Sequence, residues 1–316
     1  MKLWKFLKSR MELHSSAIAF SREKITYGDL IRIAEAEPHG LGTLRLIECS
    51  SRAKAAIDIL KCIACGDVAV PVDKGYGQAY IEHIQLFMKN DTTRYSDMAF
   101  IVFTSGTTGT PKGVMLSNKA IIANLKGIEK YCDIEVGKRI MILRPLVHIA
   151  VLVGELLFGL CRGMELCFYE EPYVPQRLAE SLKKCETQVI GCTPTVLYRM
   201  CNYLEDSALT DVIISGERLS PMMTALLERY RERIHFYNVY GLTENGPRVT
   251  ALKPAEFFFH PGSVGRAIAN TKLKLRDGEL LVRSRSVMNG YYKRPELTKK
   301  KMHGGWLHTG DAAQID

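Results

Sequence analysis

The sequence predicts an α/β protein with doubly wound parallel sheets, in two α/β subdomains, followed by a small mainly β subdomain. Three observations carry that prediction. Short apolar runs alternate with helical patterns from about residue 43 to residue 240. One run, Ala99-Phe100-Ile101-Val102-Phe103, is apolar throughout, as a strand covered on both faces of a parallel sheet requires. Beyond Gly241 the texture changes to alternating strands joined by Asp277-Gly278, a hairpin signal.

The elements follow in order. Residues 44–49 read as a strand. Ala53, Ala56, Ile57, Leu60, Ile63 and Ala64 then share a helix face that Gly66 ends, because glycine takes the left-handed C-terminal conformation freely. Residues 68–72 form the next strand and 99–103 the buried one. After a loop, Ser117 or Asn118 can cap a helix carrying Ile121, Leu125, Ile128 and Cys132. Further strands are expected at 139–143, 166–169, 188–192, 212–215 and 235–240, with helical stretches between most of them. Alternating strands at 272–276 and 279–283 start the β part. The expected division is 1–248 for the α/β subdomains and 249–316 for the small β subdomain.

Composition narrows the function classes. A hydrophobic fraction of 47% and a charged fraction of 24% are those of a globular protein, which excludes disordered and fibrous classes. Lys and Arg outnumber Asp and Glu by 43 to 34, a net charge of +9 that suits a polyanionic ligand or a plain basic surface. No basic run interleaved with aromatics follows a nucleic-acid module, so no nucleic-acid partner is expected. The 9 cysteines are scattered through apolar stretches, the pattern of reduced thiols, and the expected compartment is the cytoplasm. Cys62 and Cys65 form a lone C-x-x-C without a second pair. Lysines interrupt the apolar residues of the first turn, and no run of about 18 apolar residues exists, so no membrane span is expected.

The segment that points to chemistry is Phe103-Thr104-Ser105-Gly106-Thr107-Thr108-Gly109-Thr110-Pro111-Lys112-Gly113, directly after the buried strand. Glycines let backbone approach an anion closely, while hydroxyls and exposed N–H groups donate to phosphate oxygens. Lys112 adds a mobile positive charge. No Gly-Lys-Ser/Thr closes the run, so it is not a P-loop. Glu170-Glu171 reads as a solvated loop pair, and the absence of a G-x-S-x-G elbow removes the serine-hydrolase class.

This segment resembles the phosphate-binding signature of the adenylate-forming superfamily: acyl-CoA synthetases, peptide-synthetase adenylation domains and luciferases. Tyr237-Asn238-Val239-Tyr240-Gly241-Leu242-Thr243-Glu244 resembles its adenine and magnesium segment, and Trp306-Leu307-His308-Thr309-Gly310-Asp311 its ribose segment. The three occur in the family's order. The resemblance implies an enzyme that activates a carboxylic acid with ATP and Mg²⁺ as its acyl-AMP, then passes the acyl group to CoA or to the phosphopantetheine of an acyl carrier protein.

The same resemblance implies the roles. Thr104, Ser105, Gly106, Thr107, Thr108, Gly109 and Lys112 would hold the β- and γ-phosphates. Asn238 would meet the adenine edge and Tyr240 its face, with Ser215, Gly216, Glu217 and Arg218 walling the adenine and acid sites. Thr243 would contact the α-phosphate, Glu244 would hold Mg²⁺, and Asp311 would accept from the ribose hydroxyls. His148, Ile149, Ala150, Gly216, Gly241 and Gly246 would line the acid pocket. Lys112, His148, Thr243 and Glu244 are the candidate catalytic residues. Where peptide synthetases carry an Asp for the substrate's amino group this chain has Ala150, so a fatty or aromatic acid is expected over an α-amino acid.

Two departures from the family stand out. The chain stops just after the ribose segment, where family members continue into a C-terminal domain carrying a lysine used in adenylation. An excised N-terminal domain is the expectation, poorly active by itself. The stretch from 73 to 103 is short for the family. The reading from a different class is a nucleotide- and acyl-binding module without turnover.

Overall fold

The computed structural model describes residues 1–37, 40, 42–104 and 111–315. The predicted strands assemble into a nine-stranded and a five-stranded sheet, with a separate four-stranded sheet at the end of the chain. In the nine-stranded sheet, strands His235–Tyr240, Asp211–Ile214, Val189–Cys192, Arg139–Ile142, Glu165–Phe168 and Ile18–Phe20 lie parallel in that spatial order. Every residue of Val189–Cys192 and Asp211–Ile214 is buried, as parallel strands covered on both faces demand.

In the five-stranded sheet, Leu44–Glu48, Val68–Val72 and Met98–Thr104 run parallel. Residues 112–117, read as loop before a helix, form a strand antiparallel to Met98–Thr104 instead. Val114 and Leu116 are buried and Met115 and Ser117 are less so, the period-two pattern that the glycine-rich context obscured. Gly113 permits the close approach: a Cβ there would lie 2.9 Å from Ile101 Cγ2. Ser117 then caps helix Asn118–Tyr131, its hydroxyl accepting from Ala120 N at 3.2 Å. Asn118 takes a different task, accepting from Leu3 N at 2.9 Å.

The border expected at 249 falls inside the nine-stranded sheet. Thr250–Leu252 and Arg266–Ala267 extend it antiparallel, so the separate sheet begins with Thr271–Arg276. That sheet orders Thr271–Arg276, Glu279–Ser284, Trp306–Ala312 and Met302–His303. Gly290–Tyr291 returns to pair with the 112–117 strand. Alternation shows that these residues are strands but not which sheet they join. The region 73–98 holds a helix, Gln78–Met88, that the sequence reading left unassigned.

The lysine-rich start is a core helix, Leu3–Met11, burying Leu3, Trp4, Phe6, Leu7 and Met11 while Lys8 pairs with Glu35 at 2.8 Å. No helix among the described residues is long and apolar enough to cross a membrane. Helix Asn118–Tyr131 contributes Ile121, Ile122, Leu125 and Ile128 to the main core. On the same helix, fully buried Asn124 donates to the carbonyls of Asn245 at 3.2 Å and Arg248 at 3.0 Å. It accepts from Arg248 N at 3.3 Å. Asn124→Ala would leave these backbone groups without partners, and the expected loss is about 2–4 kcal/mol. A lowered urea midpoint at unchanged m-value checks it.

Candidate functional site

The parallel strands of the nine-stranded sheet end together at their C-terminal edge, where open α/β sheets place ligands. The hairpin of Met98–Thr104 and Lys112–Ser117 carries both ends of the segment expected to bind phosphate. Thr104 pairs directly with Lys112, so the two ends of the intervening loop are held side by side. Both residues are partly exposed. Ser105, Gly106, Thr107, Thr108 and Gly109 lie outside the described residues.

Strand His235–Tyr240 ends in a doubled-back turn. A Cβ on Gly241 would lie 1.5 Å from Pro247 O, so only glycine lets the chain fold back here. Thr243–Asn245 form one 3₁₀ turn, and Glu244, half-buried, accepts from Tyr291 Oη at 2.6 Å. Met288 N donates to the Glu244 carbonyl at 2.8 Å, which fixes its backbone as well. Burial, then the Glu244 charge, raises the Tyr291 pKa well above the usual phenol range, so its hydroxyl stays a donor.

Tyr240 and Asp311 meet. Tyr240 Oη donates to Asp311 Oδ2 at 2.5 Å. Burial, followed by the bond to Asp311, raises the Tyr240 pKa. Asp311 is exposed and oriented by its own N–H, which donates to Thr309 Oγ1 at 3.0 Å. Thr309 in turn donates to Leu280 O at 2.7 Å. The expected ring-stacking and ribose residues are therefore adjacent. Asn238 is buried, and its amide donates to Ser263 O at 2.7 Å, leaving a second amide hydrogen and the carbonyl oxygen for other partners.

Ile214 is in register with Asn238, which brings Ser215 and Gly216 beside Val239 and Tyr240. Gly216 has φ +94°, a conformation that favours glycine. Glu217 turns away, accepting from Thr195 Oγ1 at 2.6 Å and Thr195 N at 3.1 Å, and Arg218 is exposed. Gly246 closes the 3₁₀ turn in the left-handed region. Ile149 is buried in the main core and Ala150 is partly buried. His148 reaches the surface. Crowding by the protein and then the Arg144 charge push its imidazole pKa down, against the weaker pull of Asp73.

Charged residues given no role of their own from the sequence adjoin Ser215 and Gly216, a Cβ on Gly216 lying 3.6 Å from Arg144 Nη1. Glu155, wholly buried in the π-helical stretch Leu152–Leu157, accepts from Arg144 Nη2 at 2.6 Å. Arg144 Nη2 also lies 3.2 Å from Ser215 Oγ. Arg248 is 1% exposed. For Glu155 the available signal was a charged residue inside the apolar run 149–160. Glu170 also exceeds its expected role of solvated pair: it accepts from the backbone N–H of Arg52 and Ala53 at 3.1 and 3.0 Å, capping the first helix after strand Leu44–Glu48.

The profile of the AMP-binding enzyme family matches residues 53–292. The chain belongs to that family. Over 239 residues it is 33% identical to a long-chain-fatty-acid–CoA ligase of Escherichia coli O157:H7, an alignment spanning 70% of this chain and 42% of the ligase. It is 27% identical to a feruloyl-CoA synthase of an Amycolatopsis species, spanning 70% of this chain and 48% of that one. The chain thus spans under half the length of these relatives. Among solved structures, the N-terminal domain of FACL13 from Mycobacterium tuberculosis superposes with TM-score 0.85 at 18% identity, covering 100% of this chain and 97% of that one. O-succinylbenzoate CoA synthetase from Bacillus subtilis in complex with AMP follows with TM-score 0.78 at 23% identity, covering 98% and 76%. These two show the AMP-binding enzyme fold.

An NMR titration should find the His148 midpoint below 6.5, the ordinary histidine value. Folding then disfavours protonation, so this residue's contribution to stability is present above the unfolded pKa and declines as pH falls through it. Arg144→Met should raise the midpoint only partway, because desolvation is the larger cause. A midpoint at or above the ordinary value would refute the assignment.

Proposed function

We propose that this family member activates a carboxylic acid as its acyl-AMP and, in the whole protein, delivers the acyl group to a thiol of CoA or of a carrier protein's phosphopantetheine. The observation that carries this reading is that Tyr240 meets Asp311 at one strand terminus, while Tyr291, which holds Glu244 just beyond it, pairs with Val114 in the strand that begins with Lys112. An aromatic face, a ribose-competent carboxylate, a half-buried acid and a lysine beside hydroxyls are the groups an adenosine triphosphate requires.

In the reaction a carboxylate oxygen attacks the α-phosphorus, a new P–O bond forms, and the bond to the β-phosphate oxygen breaks to release pyrophosphate. Two anions must approach, so cations and aligned donors matter more than a strong base. Lys112 offers positive charge at the phosphate end, and the Thr243 hydroxyl can donate at the α-phosphate. His148, held towards its neutral form, adds no proton demand near the incoming carboxylate. Glu244 suits Mg²⁺, which takes one or two protein carboxylates with phosphate oxygens completing its shell. Among the described residues no group of three metal-ligating side chains exists, consistent with one protein ligand. When bound, the ion neutralises charge on the phosphates. The acid lies towards Ala150 and Ile149, which lack a carboxylate for an α-ammonium, and this favours a fatty or aryl acid.

ATP–pyrophosphate exchange by the full-length protein across fatty, aryl and amino acids tests the reading, and absence of exchange with every acid would overturn it. For the chain itself, Asp311→Ala should weaken AMP binding about 10- to 100-fold, the worth of one or two hydrogen bonds to a charged group. The melting temperature should hold, since Asp311 is exposed. Intact affinity with a lowered melting temperature would assign Asp311 to the turn instead.

A further inference from the structure

A cavity of about 210 Å³ lies at the C-terminal edge of the nine-stranded sheet. Leu143 and Cys192 line it from the ends of two strands, and Leu178 and Val196 from helices Pro175–Lys184 and Pro194–Met200. Tyr169 and Tyr173 line it from the loop after strand Glu165–Phe168. That loop is tied down, Tyr169 Oη donating to Pro172 O at 3.1 Å and Tyr173 Oη to Val196 O at 3.5 Å. The cavity is separate from the acid position against Ile149 and Ala150. Leu143 and Cys192 pack with the second hydrophobic core, whereas Ile142, Val189 and Ile149 pack with the main one. Gly191, one residue before Cys192, faces the other way, a Cβ there lying 2.3 Å from the Glu155 carboxyl. Side chains alternate across a strand, so the cavity opens on the face of the sheet opposite Ile149.

Three charged residues interrupt these apolar walls. Glu171 is exposed, where water screens its charge. Arg52 and Arg144 are not: their side chains are 15% and 16% exposed, and the Nε of each is buried without a hydrogen-bond partner among the described residues. Arg52 Nη1 reaches Glu170 only at 3.4 Å. Arg144 Nη2 is engaged, with Glu155 at 2.6 Å and Ser215 Oγ at 3.2 Å. Among the described residues, Arg52 Nη2 and Arg144 Nη1 have no partner at all. Donors in so enclosed a place are ordinarily paired, and a carboxylate is the group whose shape a guanidinium matches.

We propose that this cavity is a second ligand site, for a small carboxylate whose apolar body is about one ring in size, with Arg52 and Arg144 receiving the carboxylate. An apolar cavity of about 150 Å³ admits benzene. The 210 Å³ here hold one ring and its carboxylate. Tyr169 and Tyr173 offer the ring aromatic surface, and Leu143, Leu178 and Val196 offer it aliphatic surface. The site does not depend on acid activation, yet it adjoins the strand end where that activity is proposed. Arg144 is the link, since its Nη1 would lie 3.6 Å from a Cβ on Gly216.

Titration of the chain with benzoate and with benzyl alcohol, without nucleotide, followed by calorimetry and by methyl NMR, tests this. Benzoate should bind roughly tenfold or more tightly than the alcohol, the worth of a hydrogen bond to a charged group. The methyl signals of Leu143, Leu178 and Val196 should shift while that of Ile149 holds still. Arg52→Met should bring benzoate down to the level of benzyl alcohol. Val196→Phe, which fills the cavity, should abolish binding, and Ala150→Phe, on the acid side, should leave it intact. Should Val196→Phe lower the melting temperature, the methyl shifts of the unaltered chain decide the location. Shifts confined to Ile149 and Ala150, or no binding at millimolar benzoate, would overturn the site and leave the acid-activating function standing. Equal affinity for benzoate and benzyl alcohol would overturn the role given to the two arginines.

Discussion

The turn from Gly241 to Arg248 is the constraint on which the rest of the site depends. It reverses direction at the end of strand His235–Tyr240, in space that only a glycine at 241 leaves open. Asn124 holds its far side through three hydrogen bonds, and Tyr291 holds Glu244 at its apex. One short peptide is thereby held at its apex and along its far side. The helix carrying Asn124 starts at the strand that begins with Lys112, so the Thr104–Lys112 hairpin end and the turn share a common support.

The interior under that turn departs from a simple hydrophobic core. Charged groups there replace area that leucine or phenylalanine would fill, which reduces the apolar burial stabilising the domain. The backbone adapts locally: residues 152–157 widen into π-helical turns, a distortion that recurs at functional sites. The same fold family includes a long-chain-fatty-acid–CoA ligase to which this chain is 33% identical. A shared fold therefore leaves the acid open, and the side chains lining its depth decide it.

Much of the architecture was legible from periodicity. The buried parallel strands at 68–72 and 99–103 recur within a residue or so, because continuous apolar runs have few other uses in a globular chain. The strand at 112–117 was not legible, since glycine and lysine open it and its alternation is short. Nor was the sheet membership of 250–252 and 266–267, which tertiary pairing decides. Site residues within family-like motifs could be named from the sequence, and the structure brings Tyr240 to Asp311 across 71 positions. Arg248 escaped notice because an arginine in sequence looks the same whether it reaches solvent or a core.

The pairing of Thr104 with Lys112 has a consequence for how this protein can vary. The loop between them can change length without moving either anchor, because its ends are fixed by the hairpin ladder. An insertion of one residue within 112–117 is a different matter. Side chains alternate across a strand, so a single-step slip would turn the Lys112 position to the opposite face and carry Val114 and Leu116 out of the core. The lysine's aim is thus tied to hydrophobic burial: the apolar residues that fold the hairpin also fix the face on which Lys112 stands.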